Sequence, residues 1–275
     1  MDKLASLPKD PLIGALDIVW RQCVELGEQM PADAWDRPTD CPGWAVRDQL
    51  AHMVASESGL LGVERPEVEV APAEHIRNAP GMGNEAWIIA LRSVPPSELV
   101  ARFADLTDRR RAALAAMTQD DFDRAVPSPV GPASYGRFML TRVYDLWMHQ
   151  QDMREAAGIA GARAPEVMGF AYDEVASALG FIVGKKAGTP AGKRVTFVFT
   201  GDIDRTVHVS VDERATVVDA LDRAADVVVT GDAFALLRVA GGRRDPDAEL
   251  RSGRIAIAGD VELGERIVRA LPYTM

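Results

Sequence analysis

At 275 residues the chain is longer than a single core of typical size, so two domains are expected. The 41 acidic residues outnumber the 31 basic ones, giving a net charge of −10, which argues against nucleic acid or an anionic membrane surface as a partner. The short basic clusters Arg109-Arg-Arg111 and Arg243-Arg244 do not reverse that balance. Cys23 and Cys41 offer no disulfide framework and suit a reducing cytoplasm. No secretory leader is read at the start, and no apolar run is read as long enough for a membrane span.

Asp10 before Pro11 reads as an N-cap and first helical residue, and a helical pattern continues to about residue 30. Leu12, Ala15, Leu16, Val19, Cys23 and Leu26 form its apolar face, which makes Cys23 a small core residue. Residues 35–44, with two prolines and a glycine, form a turn-rich loop. A second helix over 45–63 has Val46, Leu50, Met53, Val54, Leu60 and Leu61 as its stripe. His52 falls on the other side, among Ala45, Gln49, Ala55, Ser56 and Gly59. These small neighbours leave room beside the imidazole, so His52 reads either as an exposed histidine or as a ligand. Glu57 lies within the stripe and needs a partner, such as an arginine on a neighbouring helix. Residues 64–84 read as an irregular loop with His75 solvated, and helical patterns follow over 84–94 and 97–117.

After a break at 127–132, a helix over 134–157 is expected to stop at Gly158, a natural C′ residue. On it Asp145 and His149 stand four residues apart on one face, with Asp152 on the same face. Met139, Val143, Leu146, Trp147 and Met153 make a neighbouring apolar stripe that turns this row inward. A carboxylate and an imidazole at i, i+4 can share a metal ion, and the same spacing also describes a helical ion pair. His52 adds a third donor from another long helix, and three protein ligands with an open position is the stoichiometry of a catalytic zinc. Arg142 reads as the structural partner of a nearby carboxylate.

A further helix spans 165–186, and after the Gly/Pro segment at 188–192 the period becomes that of strands. Strands are expected over 194–200 and 205–211, joined by a turn, and over 226–230. Helices over 233–240 and 261–271 then flank a strand at 254–258. The fold class is α+β with two domains, a helical bundle over 1–162 and a small α+β domain over 163–275, with the Gly/Pro segment as the expected joint.

The stretches Cys41-Pro-Gly-Trp44, Val46-Arg-Asp-Gln-Leu-Ala-His52 and Asp145-Leu-Trp-Met-His149, with Asp152, resemble the mycothiol-dependent maleylpyruvate isomerase family, within the DinB-like four-helix-bundle superfamily. Val227-Val-Val-Thr-Gly-Asp232, Ala240-Gly-Gly-Arg243 and Gly259-Asp-Val-Glu-Leu-Gly264 are similar to that family's C-terminal domain, a small sterol-carrier-like unit. The resemblance covers nearly the whole chain. It implies that His52, Asp145 and His149 hold zinc or another divalent metal, whose open position takes mycothiol or a related small thiol as cosubstrate. The implied enzyme is either a thiol S-transferase or a cis-trans isomerase, in which the thiolate adds to a conjugated 2-oxo acid and leaves after rotation. The isomerase has Glu where this chain has Asp145, which shifts the pocket geometry.

An anionic substrate calls for arginine, and Arg243 and Arg244 are the catalytic candidates. Their other reading is the capping of a helix C-terminus. The expected partners are a small thiol and a small electrophile, without nucleic acid or membrane, for a cytoplasmic monomer or homodimer. The alternative is a non-catalytic binder of an apolar ligand or lipid, in which the metal triad is vestigial.

Overall fold

The computed structural model describes residues 4, 6–128 and 131–274, and the chain divides into two compact units, Asp2–Ala162 and Arg163–Met275. The first contains α1 (Lys9–Gln29), α2 (Val46–Leu60), α3 (Ala79–Leu91), α4 (Pro96–Ala115), the short α5 (Gln119–Asp123) and α6 (Tyr135–Ala157). Helices α1, α2, α4 and α6 form a four-helix bundle in which α1 and α2 each pack on both α4 and α6, and α3 packs on α2.

The apolar face predicted for α1 is buried, with Trp20 added to it. The helix nevertheless starts at Lys9 rather than at the Asp10-Pro11 pair. The Lys9 amide donates to Gln119 Oε1 (3.0 Å), so a side chain from α5 satisfies the first turn and no local cap is needed. Helix α6 begins on Ser134, whose hydroxyl accepts from the Arg137 amide (3.1 Å). It ends at Gly158 with φ +71°, a left-handed position that suits glycine.

Helix α3 starts at Ala79, inside the stretch read as loop. Asn78 caps it by accepting from the Gly81 amide (2.8 Å), and Pro80 sits in the first turn, where its missing N–H costs nothing. The first unit is also not wholly helical, because Ala125–Val126 (β1) and Ala133–Ser134 (β2) form a small antiparallel ladder ahead of α6.

Enclosure by α3, α4 and α6 buries α2 on its polar side as well as its apolar one. His52 is therefore 5% exposed and is not a surface histidine. Glu57 is fully buried and has two partners. It accepts from Arg110 Nε (2.9 Å) on α4 and from Arg142 Nη2 (3.0 Å) on α6.

In the second unit α7 (Pro165–Phe181) runs on into a π-helical turn, Ile182–Lys186. Strands β3 (Arg194–Thr200), β4 (Arg205–Val211), β5 (Ala215–Val218), β6 (Val227–Asp232) and β7 (Ile255–Gly259) form one sheet in the order β5-β4-β3-β6-β7. Only the β3–β6 pair is parallel. Val195, Phe197 and Phe199 on β3 and Val207, Val209 and Val211 on β4 are buried at every second position, the period-two pattern that specified these strands.

Helices α8 (Ala233–Ala240), α9 (Pro246–Arg251) and α10 (Val261–Ala270) complete the unit. By length and composition Pro165–Lys186 would pass for a membrane span, contrary to the sequence expectation. Half of its apolar window is buried, and α7 packs on β4 and β5 as a core helix does. Because α7 belongs to the sheet, the Gly188–Gly192 segment lies inside the second unit and is not the joint.

Replacing Glu57 by Ala leaves Arg110 and Arg142 buried without their shared counter-charge. We expect a loss of about 3–5 kcal/mol in urea unfolding. A loss below about 1 kcal/mol would show that water or a rearrangement replaces the pair without difficulty.

Candidate metal centre

Helices α2 and α6 pack together and bring three donor side chains to one point. One ligand atom each from His52, Asp145 and His149 lies within 4.8 Å of the other two. His52 Nε2 is 3.3 Å from Asp145 Oδ2, and His149 Nε2 is 3.5 Å from Asp145 Oδ1. The two imidazoles stand edge to face, with centroids 4.6 Å apart.

The tautomer of His149 is fixed from behind. Its Nδ1 lies 2.5 Å from Gln49 Oε1, an atom that only accepts, so Nδ1 carries a proton toward Gln49 and Nε2 is the ring nitrogen that faces Asp145. Gln49 is held in turn, because its Nε2 donates to Thr39 Oγ1 (2.6 Å) and that hydroxyl donates to the Trp44 carbonyl (2.8 Å). Asp152, which the helical spacing placed on the same face, is buried with Oδ2 3.7 Å from His149 Nδ1, farther away than the Gln49 oxygen.

Asp145 has its own anchor. Arg142 Nη1 donates to Asp145 Oδ2 (2.5 Å) while Nη2 of the same guanidinium holds Glu57, so Arg142 is the structural partner that its position suggested. Burial pushes the Asp145 carboxyl up, but Arg142, and after it His149 and His52, outweigh burial and hold it well below the usual carboxylate range. Burial also pushes His52 below the usual imidazole value, and Asp145 offsets only part of that. For Arg142 burial lowers the pKa, and Asp145 and Glu57 more than restore it. The cluster therefore sets one ionised carboxylate against two imidazoles, of which His52 is held toward its neutral form by burial. His52 Nδ1 is buried without a hydrogen-bond partner among the described residues. Two imidazole nitrogens and a carboxylate oxygen, converging with one tautomer fixed, fit zinc or a similar divalent ion.

Trp44 forms a wall of the cluster, with its indole 5.1 Å from the His52 ring and 5.7 Å from that of His149. Neither Trp44 nor Gln49 was singled out from the sequence as a site residue. The spacing of Gln49, three residues before His52 on the same helical face, could have found it. His75 is not the solvated loop residue expected. It is half-buried, and its Nε2 lies 3.2 Å from Glu85 Oε2.

Arg243 and Arg244 lie in the second unit, just past α8. Arg243 is buried and its Nη1 donates to the Gly241 carbonyl (2.7 Å) at the helix end, the capping arrangement that was the other reading of this pair. Arg244 is half-buried.

Residues 16–154 match the family model described as the mycothiol maleylpyruvate isomerase N-terminal domain, and residues 170–266 match the MDMPI C-terminal domain. The chain belongs to the mycothiol maleylpyruvate isomerase family. Crystal structures of the mycothiol-dependent maleylpyruvate isomerase and of a histidine-to-alanine mutant of it superpose on this family member with a TM-score of 0.57. They cover 94% of this chain and 96% of theirs, at 14% and 15% identity. At that identity the likeness is one of fold. Two uncharacterized proteins from two strains of Mycobacterium tuberculosis are each 27% identical over 132 residues, 47% of this chain. The chain spans about half the length of these curated relatives, 50% of each.

The two cysteines sit in different surroundings. Cys23 is buried with Sγ 3.7 Å from Met53 Sδ, and burial pushes its thiol up to about 12. A thiolate is the reactive form, so Cys23 should stay inert in the native protein while the half-buried Cys41 reacts. Titration with a chromogenic disulfide should count one thiol before denaturation and both after it. Rapid loss of both native thiols would contradict the burial of Cys23.

Proposed function

We propose that this family member is a metal-dependent enzyme that uses mycothiol or a related small thiol, with zinc or another divalent ion held by His52, Asp145 and His149. What supports this is the convergence of the three donors with the His149 tautomer set by Gln49, in a chain whose two parts match the family's two domain models. An ion bound there supplies Lewis acidity that favours the thiolate form of a small thiol at neutral pH.

The protein's own residues prepare that chemistry. Arg142 keeps Asp145 ionised and oriented, Gln49 keeps His149 Nε2 available, and Trp44 covers both imidazoles from one side. Arg110 and Arg142 offset the charges of Glu57 and Asp145 in the network that holds the donors. A bound divalent ion would add positive charge that attracts an anionic thiolate. The proposed co-substrate is a small electrophile such as a conjugated carbonyl. Release of the thiol after addition gives isomerisation, and its retention gives S-transfer. Arg243 and Arg244 stay in the proposal as holders of an anionic group on that electrophile, and the cytoplasm as the compartment.

Purified protein should contain about one divalent ion per chain by elemental analysis, and His149→Ala should lose it. Gln49→Leu keeps all three donors and should weaken zinc binding about 10–100-fold. Absence of metal together with failure to take up added zinc would remove the site.

Mycothiol should raise the Tm of the zinc form by linkage, about 2.7 kcal/mol of stabilisation at a hundredfold excess over Kd, and should do less for His52→Ala. If it moves neither the Tm nor the visible spectrum of the cobalt form, the apolar-ligand reading replaces the thiol enzyme.

A further inference from the structure

We infer that Glu85 is a positioning residue for the metal centre, acting through Trp44: its carboxylate holds the indole against the two histidine rings. The inference rests on the proposal that these histidines are metal ligands, and it extends the site to a carboxylate that touches none of the three donors.

Glu85 lies on α3 and is 6% exposed, and a carboxylate is costly to bury unless it is bonded. Its partners come from three separate places. Trp44 Nε1 donates to Oε2 (3.1 Å) from the turn before α2, and His75 Nε2 faces the same oxygen (3.2 Å) from the loop before α3. Arg92, just after α3, brings Nη2 within 3.7 Å of Oε1. Arg92 also donates from Nε to Asp48 Oδ1 (3.3 Å), and Asp48 Oδ2 accepts from the Ala45 amide (3.0 Å) at the start of α2. The carboxylate therefore joins α3 to the entry of α2, with the indole N–H as one of its ties.

The turn is closed around this arrangement. Gly43 has φ +83°, and a Cβ there would fall 2.6 Å from His75 Nδ1, so the imidazole of His75 fills the space that a side chain at residue 43 would need. Trp44 is thus fixed at both ends. Its carbonyl is tied through Thr39 and Gln49 to His149, and its indole N–H is tied to Glu85. A charge-assisted hydrogen bond is the stronger kind, and here it selects one orientation of a ring that contacts both imidazoles. Imidazoles that give up electron density to a cation are attracted to the face of an indole. A freed indole would lose that contact and open the histidines to water.

The metal-free protein gives a readout that a general loss of stability would not imitate. There are four histidines, so the ring-proton resonances of His52 and His149 can be assigned by single substitution. In the native protein the indole ring current should displace both. Glu85→Ala should return them toward their positions in Trp44→Leu, while Glu85→Gln, which keeps an acceptor, should leave them near native. In the cobalt-loaded protein Glu85→Ala should weaken binding about 10-fold and alter the visible spectrum, with Glu85→Gln restoring both. Adding Glu85→Ala to Trp44→Leu should cost nothing more, because the two act through one contact.

Should Glu85→Ala not fold, Glu85→Leu takes its place, filling the space without an acceptor. Unmoved histidine resonances in the alanine or leucine variant would overturn the inference, as would native cobalt affinity and spectrum. If the resonances move as expected but the native protein takes up no cobalt, the clamp on Trp44 stands and the metal reading falls.

Discussion

The ionic contact of Glu57 with Arg110 and Arg142 fixes the relation among α2, α4 and α6, and the candidate site depends on it. Apolar stripes bring helices together, but they tolerate sliding and small rotations with modest loss. A buried carboxylate bonded by two guanidinium groups does not, because any shift strands a charge in the interior. His52 precedes Glu57 by five residues on α2, and Asp145 follows Arg142 by three on α6. The register that satisfies Glu57 therefore also sets His52 beside Asp145. Arg142 makes this link physically continuous, since one guanidinium holds Glu57 with one nitrogen and Asp145 with another.

That continuity has an electrostatic consequence. Asp145 is the most exposed of the charged groups in this network, at 31% for its side chain, and it faces Arg142, His52 and His149. Oδ2 already accepts from Arg142, so Oδ1, which faces His149, is the less committed oxygen. Arg142 is the largest of the groups that keep this carboxylate ionised against burial, with His149 and His52 after it. The shorter Asp side chain suits the arrangement, because Arg142 reaches it within a single helical turn.

Much of this was legible in the sequence because periodicity reports faces and punctuation reports ends. Ser134 and Gly158 bracket α6, the alternation of residues 194–200 and 205–211 marks β3 and β4, and Asp145 and His149 share a face by spacing alone. The same rules missed β5, α5 and α9, which are short, and misjudged the start of α3 because Pro80 and Gly81 read as loop. They also left open whether His52 is exposed. Amphipathic patterning locates the apolar side of a helix but does not say whether its polar side is enclosed, and here α3 packs on α2 as well. Gln49 and His149 are 100 residues apart, and Trp44 and Glu85 are 41 apart, so no local spacing encodes either contact. The family resemblance brought Trp44 into view as part of a motif, and the structure supplies the reason in its contact with both imidazoles.

Among the described residues, Gln49, Trp44 and Arg142 contact the donors and Glu57 holds Arg142, and all of them belong to the first unit, as the donors do. Two imidazoles and one charge-compensated carboxylate suit the proposed ion, which would favour a thiolate whatever that thiolate attacks afterwards. On the proposed reading the donors therefore do not distinguish isomerisation from thiol transfer, since both would begin with the same nucleophile. The distinction lies in how long the electrophile is held after the carbon–sulfur bond forms. That depends on groups that bind the rest of the substrate, because only interactions that differ between the two outcomes can separate them. On the proposed reading the fixed donor set thus speaks to the nucleophile, and the choice of reaction would be decided by residues outside it.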